Sequence, residues 1–144
     1  MKEVMLEQGS DEWLLFRQNK IGSSDAPPIM GVSPYKTRAE LYQEKMGLSS
    51  GQVKSYAMQR GNDLEPMIRE KMSGFLGCQL LSKVFISEQR EWQSASVDGI
   101  DTVEGVVVEI KCANSVDHMK AQKGIVPEKY LPQLYHILSV LQMD

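Results

Sequence analysis

The sequence is poor in the residues from which small proteins build covalent or metal-held frameworks. Among its 144 residues are two cysteines, Cys78 and Cys112, and two histidines, His118 and His136. Two widely separated thiols make neither a disulfide framework nor a metal-ligand spacing, so both read as reduced thiols of a cytosolic protein. Neither histidine has a partner at the spacing of a metal site or a catalytic triad, so both read as structural or solvated. Basic residues are not in excess either: 16 Lys and Arg stand against 19 Asp and Glu, for a net charge of -3. Nucleic-acid binding usually leaves a basic footprint. A site that gathers carboxylates around divalent cations reverses its local sign, however, so this charge does not exclude a phosphate-bearing partner. Long apolar runs are missing as well. No stretch approaches the roughly 20 residues of a membrane span, and Met1–Met5 lacks the basic start and apolar stretch of a signal peptide.

What is present is the composition of one globular domain, with 42% hydrophobic and 24% charged residues and no internal repeat. Ser10 is placed to cap a short amphipathic helix over Asp11–Lys20, with Trp13, Leu14, Leu15 and Phe16 as its apolar residues. A turn at Ile21–Asp25 leads to a second helix near Ala26–Met30, whose first turn alone can take Pro27 and Pro28. Thr37 caps a helix through Lys45 that Gly47 ends. Ser49–Lys54 is polar and reads as mobile. Tyr56–Phe75 reads as a long helix with a break or restart near Asn62–Asp63, because of Gly61 and Pro66. Strands are expected over Gln79–Ser87, Trp92–Asp98 and Val106–Cys112, and Ser115 and Pro127 open two final helices. Helices, then strands, then helices describe a mixed α/β domain.

The chemistry concentrates in the last two strands. Period two places Val106, Val108 and Ile110 on one face and Glu109 with Lys111 on the other. In the preceding strand Ser94, Ser96 and Asp98 share a face opposite Ala95 and Val97. A reversal over Gly99–Gly105 would bring Asp98 to Glu109 across a hairpin, where two carboxylates repel unless a cation lies between them. Magnesium in such a place polarises a phosphodiester and activates water, and as a pair it stabilises attacking and leaving oxygens. Lys111 beside it would orient that water or stabilise developing charge. On spacing alone the solvated face of an edge strand is the more ordinary explanation of Glu109 and Lys111.

The wider pattern is more specific. Nearly the whole chain, Ser10 to His136, resembles the YqaJ-like viral recombinase family, which includes the lambda-type phage exonucleases of the PD-(D/E)XK class. The resembling segments are Glu12-Trp13-Leu14-Leu15-Phe16-Arg17, Ile21-Gly22-Ser23-Ser24-Asp25-Ala26 and Gly31-Val32-Ser33-Pro34-Tyr35-Lys36-Thr37. They continue in family order with Arg60-Gly61-Asn62-Asp63-Leu64-Glu65-Pro66, Ser96-Val97-Asp98-Gly99, Glu109-Ile110-Lys111-Cys112 and Tyr130-Leu131-Pro132-Gln133-Leu134-Tyr135-His136. Pro27 and Pro28 depart from the pattern, standing where the family more often has small helix-forming residues.

The resemblance implies a restriction-endonuclease-like fold with a central mixed sheet flanked by helices. It implies Asp98, Glu109 and the Ile110 carbonyl as metal ligands, Lys111 as catalytic lysine, Glu65 as the assisting helical acid, and Gln133 with Tyr130 as the motif of the late helix. It implies Arg17, Ser24 and Ser96 as holders of a terminal 5'-phosphate. By residue type alone, Glu65 also suits the N-terminus of a restarted helix, Arg17 a solvated helix face, and Tyr130 with Gln133 plain helix packing. The implied activity is 5'-to-3' digestion of one strand of linear duplex DNA, with two magnesium ions that manganese can replace. The implied partners are DNA ends, a single-strand annealing protein and two further copies in a ring-shaped trimer, and the implied setting is the bacterial cytoplasm, the protein being encoded by a phage or prophage. An endonuclease of the same fold, or a DNA-binding module without catalysis, remains the alternative. Family members usually continue past the late helix with further strands and a helix, so a domain truncated at its C-terminal strands is also expected.

Overall fold

The structure, a computed structural model, describes residues 1–49 and 56–143, with side chains from residue 59 onward in the second stretch. Apart from Ser49, the polar segment Ser49–Lys54 lies outside the described residues. One sheet has the strand order β1 (Lys2–Val4), β2 (Leu81–Ile86), β3 (Ser94–Asp101), β4 (Val106–Val108), each strand antiparallel to its neighbour. The expected mixed sheet is thus antiparallel in its named strands, because short reversals connect β2 to β3 and β3 to β4. Its parallel pairing among the described residues is an isolated bridge between Ile21 and Gln93. β3, with a neighbour on each side, is the best-buried strand: Ala95 and Val97 are fully enclosed.

Helices α1 (Asp11–Gln18) and α3 (Arg38–Lys45) begin where their caps predict, and the short α2 (Ala26–Ile29) lies between them without a side-chain cap. The Ser10 hydroxyl accepts from the Trp13 backbone N–H at 3.2 Å, and Thr37 forms a reciprocal capping box with Glu40. Pro27 and Pro28 occupy the first turn of α2. After α3 the chain turns at Gly47, whose φ of 67° explains the glycine. Two helices follow the strands, α5 (Ser115–Gln122), capped by Asn114, and α6 (Leu131–Leu141), with Pro132 in its first turn. Ile137, Val140 and Leu141 put the buried stripe of α6 against Phe85, Ala95, Val97 and Ile100, and this is the core.

Three expectations are corrected. α4 runs unbroken from Tyr56 to Leu76 through Gly61 and Pro66. Proline forfeits a helical hydrogen bond, but contacts along the helix override that local preference. A Cβ on Gly61 would lie 3.7 Å from the Cys112 Cβ, and Arg69 ties the next turns to β3. β3 continues past Gly99 to Asp101, whose Oδ1 accepts from the backbone N–H groups of Val103 and Glu104 at 2.9 and 3.1 Å, so the reversal is confined to the turn after it. β4 stops at Val108 instead of Cys112, because the Ile110 N–H leaves the ladder and donates to the Asp98 side chain.

Candidate active site

The register that pairs Gly99 with Val108 sets Asp98 beside Glu109, one step beyond the end of the ladder. Asp98 Oδ2 accepts the Ile110 backbone N–H at 2.7 Å. Glu109 is more deeply placed, its side chain 7% exposed. Its Oε1 accepts from Lys111 Nζ and from Gln133 Nε2, each at 2.5 Å. Gln133 gets there because it precedes Ile137 by one helical turn on the buried stripe of α6. The stripe that packs the core thus ends in an amide aimed at the carboxylate. Glu109 Oε2 is buried and has no hydrogen-bond partner among the described residues.

Burial, reinforced by repulsion from Asp98 and Glu65, outweighs the nearby Lys111 ammonium and pushes the Glu109 carboxyl up to about 7. Asp98 is also raised by burial, against the opposing pull of the Ile110 N–H, Lys111 and Arg69. Glu65, on α4, is raised by burial and by the Asp98 charge, while Arg69 opposes it. All three carboxyls, on one cleft, are shifted in the same direction, chiefly by burial and despite the nearby charges of Lys111 and Arg69. Among the described residues no group of three His, Cys, Asp or Glu side chains converges at metal-binding distance. The carboxylates of Asp98 and Glu109, with the Ile110 backbone beside them on the same cleft, are what a cation would find. That set suits magnesium, which takes one or two carboxylates and completes its shell with substrate oxygens and water.

Asp98, Glu109, Ile110, Lys111, Glu65, Gln133, Tyr130 and Ser24 all line one cleft of roughly 720 Å³. Pro27, Pro28, Pro34 and Tyr35 line the same cleft. Arg17 and Ser96 stand behind that lining, but they are joined to Ser24. Arg17 Nη2 donates to Ser24 Oγ at 2.7 Å, the guanidinium lies 4.4 Å from the centre of the Trp13 ring, and Trp13 Nε1 donates to Ser96 Oγ at 2.9 Å. The base of this group is rigid. Asp25, buried, accepts the Gly22 N–H at 2.8 Å and Lys45 Nζ at 2.7 Å, and the same ammonium donates to the carbonyls of Arg17 and Lys20.

Residue-by-residue reading missed several contributors. Trp13 links all three phosphate-site candidates; its spacing of four from Arg17 was the available signal. Lys129 joins Asp117 at 2.5 Å and the Tyr35 hydroxyl at 3.1 Å, and lies about 5 Å from the ring centres of Tyr35 and Tyr130. Burial opposes its charge, but the hydrogen bonds to Asp117 and Tyr35 prevail and hold its pKa above the ordinary lysine range. His136, expected to be structural or solvated, is structural: a ring nitrogen meets the Ser94 carbonyl at 2.9 Å, and burial lowers its pKa. Both cysteines are free thiols. No helix among the described residues is long and apolar enough to cross a membrane.

An α/β domain with its carboxylates gathered at the end of a hairpin, faced by a long helix, is an architecture of the PD-(D/E)XK kind. A solved structure with this fold is an alkaline exonuclease, LHK-Exo, from Laribacter hongkongensis, at a TM-score of 0.74 and 23% identity over 94% of this chain and 70% of that one. The same enzyme in complex with dAMP matches at a TM-score of 0.71 and 21% identity, with the same coverage. The chain belongs to the YqaJ-like viral recombinase domain family, whose model matches residues 12–144. It is 30% identical over 138 residues to YqaJ of Bacillus subtilis (strain 168). That match covers 94% of this chain but 43% of the Bacillus protein, so the chain spans less than half the length of that relative.

Proposed function

We propose that the chain is a magnesium-dependent deoxyribonuclease that digests linear duplex DNA from the 5' end and leaves 3' single-stranded tails for phage-type recombination. The observation that carries this reading is the pair of carboxylates, Asp98 and Glu109, on one cleft, with the buried Oε2 of Glu109 lacking a hydrogen-bond partner among the described residues. Asp98, Glu109 and the Ile110 carbonyl would hold the ion, with Glu65 at its margin and manganese able to replace it; a second ion would share the same carboxylates. When bound, it would polarise the phosphodiester and lower the pKa of the attacking water. The chain's own residues do the rest. Gln133 and Lys111 fix Oε1 of Glu109, which keeps Oε2 turned away from them. Lys111, 5.7 Å from the centre of the Tyr130 ring, carries a positive charge to where a phosphate gains negative charge. Arg17, steadied on Trp13 beside Ser24 and Ser96, offers donors to a terminal phosphate, which carries more charge than an internal diester.

Family membership supports a role in recombination, and the structural likeness to an alkaline exonuclease supports the exonucleolytic form of it. A single-strand annealing protein, a trimeric ring around DNA and a bacterial cytoplasmic setting belong to the same reading. The test is incubation of linear duplex and closed circular plasmid with and without magnesium, using wild type and Asp98→Ala. Magnesium-dependent loss of the linear substrate alone, abolished in Asp98→Ala, is the expected result. Nicking of the circle would favour an endonuclease, and no cleavage of either would favour a DNA-binding module. Full activity in Asp98→Ala would sink the site assignment.

A further inference from the structure

The strand that carries Asp98 is irregular where the site begins. Between the Val97–Lys83 and Ile100–Leu81 pairs, β2 advances two residues while β3 advances three, so β3 holds an extra residue at Asp98–Gly99. Such a bulge bends the strand and re-aims a side chain, at the cost of local ladder pairing. A bulge that aims a ligand must itself be held.

Arg69 holds it. Its Nη1 donates to the Asp98 carbonyl at 2.6 Å and to Glu65 Oε1 at 3.0 Å. Arg69 and Glu65 are one turn apart on α4, with side chains 20% and 27% exposed. Arg69 is absent from the cleft wall, so it is not placed to touch a substrate there. We infer that Arg69 is a positioning residue, pinning the Asp98–Gly99 bulge and Glu65 together and so setting where the Asp98 carboxylate stands relative to Glu109. This inference rests on the metal site proposed above.

The reasoning is one of opposed grips. The Ile110 N–H holds the Asp98 carboxylate from the β4 side, and Arg69 holds the Asp98 backbone from the α4 side. With the second grip gone, the first fixes a side chain on a strand free to relax its bulge. Guanidinium suits the task because its donors lie in one rigid plane and its charge is permanent. Removing the outer hydrogen-bond partners of metal ligands weakens metal affinity by about 10–100-fold.

The test measures manganese affinity by calorimetry, kcat and KM on linear duplex, and urea stability, for wild type, Asp98→Asn, Arg69→Met and Arg69→Lys. Arg69→Met, which keeps the stem and removes the donors, should bind manganese about ten-fold more weakly or worse. Its kcat should fall with little change in KM, and Arg69→Lys should recover part of both. If Asp98→Asn loses manganese while folded Arg69→Met keeps wild-type affinity and kcat, Arg69 is only a structural tie and the inference is overturned. If wild type takes up no manganese, the metal reading falls and the role of Arg69 falls with it. Should Arg69→Met fail to fold, Arg69→Lys decides: weakened manganese affinity supports the inference and wild-type affinity overturns it.

Discussion

At the residue scale, Glu109 and Lys111 are opposite answers to one environment. In the folded chain the Glu109 carboxyl keeps its proton up to about 7, whereas an exposed glutamate releases it near 4.5. Across that window the folded state binds more protons than the unfolded one, so stability without metal should fall as pH rises through it. Urea denaturation at about pH 5 and about pH 8 measures the slope. Glu109→Gln should flatten it, and saturating magnesium should oppose it by supplying the missing positive charge. A wild-type slope that rises with pH would contradict the burial of this carboxyl. Lys111→Ala should cut the cleavage rate by about 100-fold or more, the scale of losing one electrostatic contact to a transition state. Metal binding measured by calorimetry should survive, because an ammonium is no ligand; wild-type cleavage by the variant would reduce Lys111 to a surface charge.

At the scale of elements, the hairpin of β3 and β4 and the helix α4 build the site between them. The approach is tight at Gly99, where a Cβ would lie 3.2 Å from the Leu80 Cβ and 3.6 Å from the Val108 Cβ. Gly99→Ala should therefore cost about 1–3 kcal/mol through overpacking, read as a lower urea midpoint. Unchanged stability would show that the neighbours yield freely. Much of this element was legible in the sequence: the alternation of β3, the carboxylate of Asp98 on it and the Glu109-Ile110-Lys111 run are local patterns. The bulge was not, because an extra residue in one strand is defined by the register of its neighbour. Nor was the length of β4, since Ile110 departs from the ladder to serve a side chain twelve residues earlier. The unbroken α4 escaped for a related reason: Gly61 and Pro66 are helix-breaking signals, and what overrides them is supplied by Cys112 and β3.

For the whole molecule, the question is whether the group at Arg17 and the carboxylate pair act on one DNA end. Ser24 belongs to the cleft wall, and Arg17, Trp13 and Ser96 stand behind it, so a phosphate held at Ser24 would leave its chain near Asp98 and Glu109. Hydrogen bonds to charged groups are worth about 1.5–3 kcal/mol, so a 5'-phosphorylated duplex should be cut about ten-fold or more faster than a 5'-hydroxyl duplex. Arg17→Ala should erase most of that preference and leave manganese binding untouched. Initial rates on both end types, in the same salt, make the comparison. Indifference of the wild type to the end group would remove the clamp and favour cutting within the duplex.

The amino-acid sequence by itself determined the features that are local in physical origin. Ser10 and Thr37 start helices because their hydroxyls satisfy backbone donors within a turn. Asp98 and Glu109 fall on neighbouring segments of the chain, and the turn between them is closed by Asp101 through the backbone N–H groups of Val103 and Glu104 beside it. The order of motifs along the chain was enough to mark the family. Tertiary structure alone decided which distant groups meet. Trp13 reaches Ser96 across 83 positions, Gln133 reaches Glu109 across 24, and Arg69 reaches the Asp98 carbonyl across 29. Propensity and periodicity act over a turn of helix or a pleat of strand. They carry no information about which helix face lies over which strand, and that packing is what joins three carboxylates, a lysine and their supports into one site.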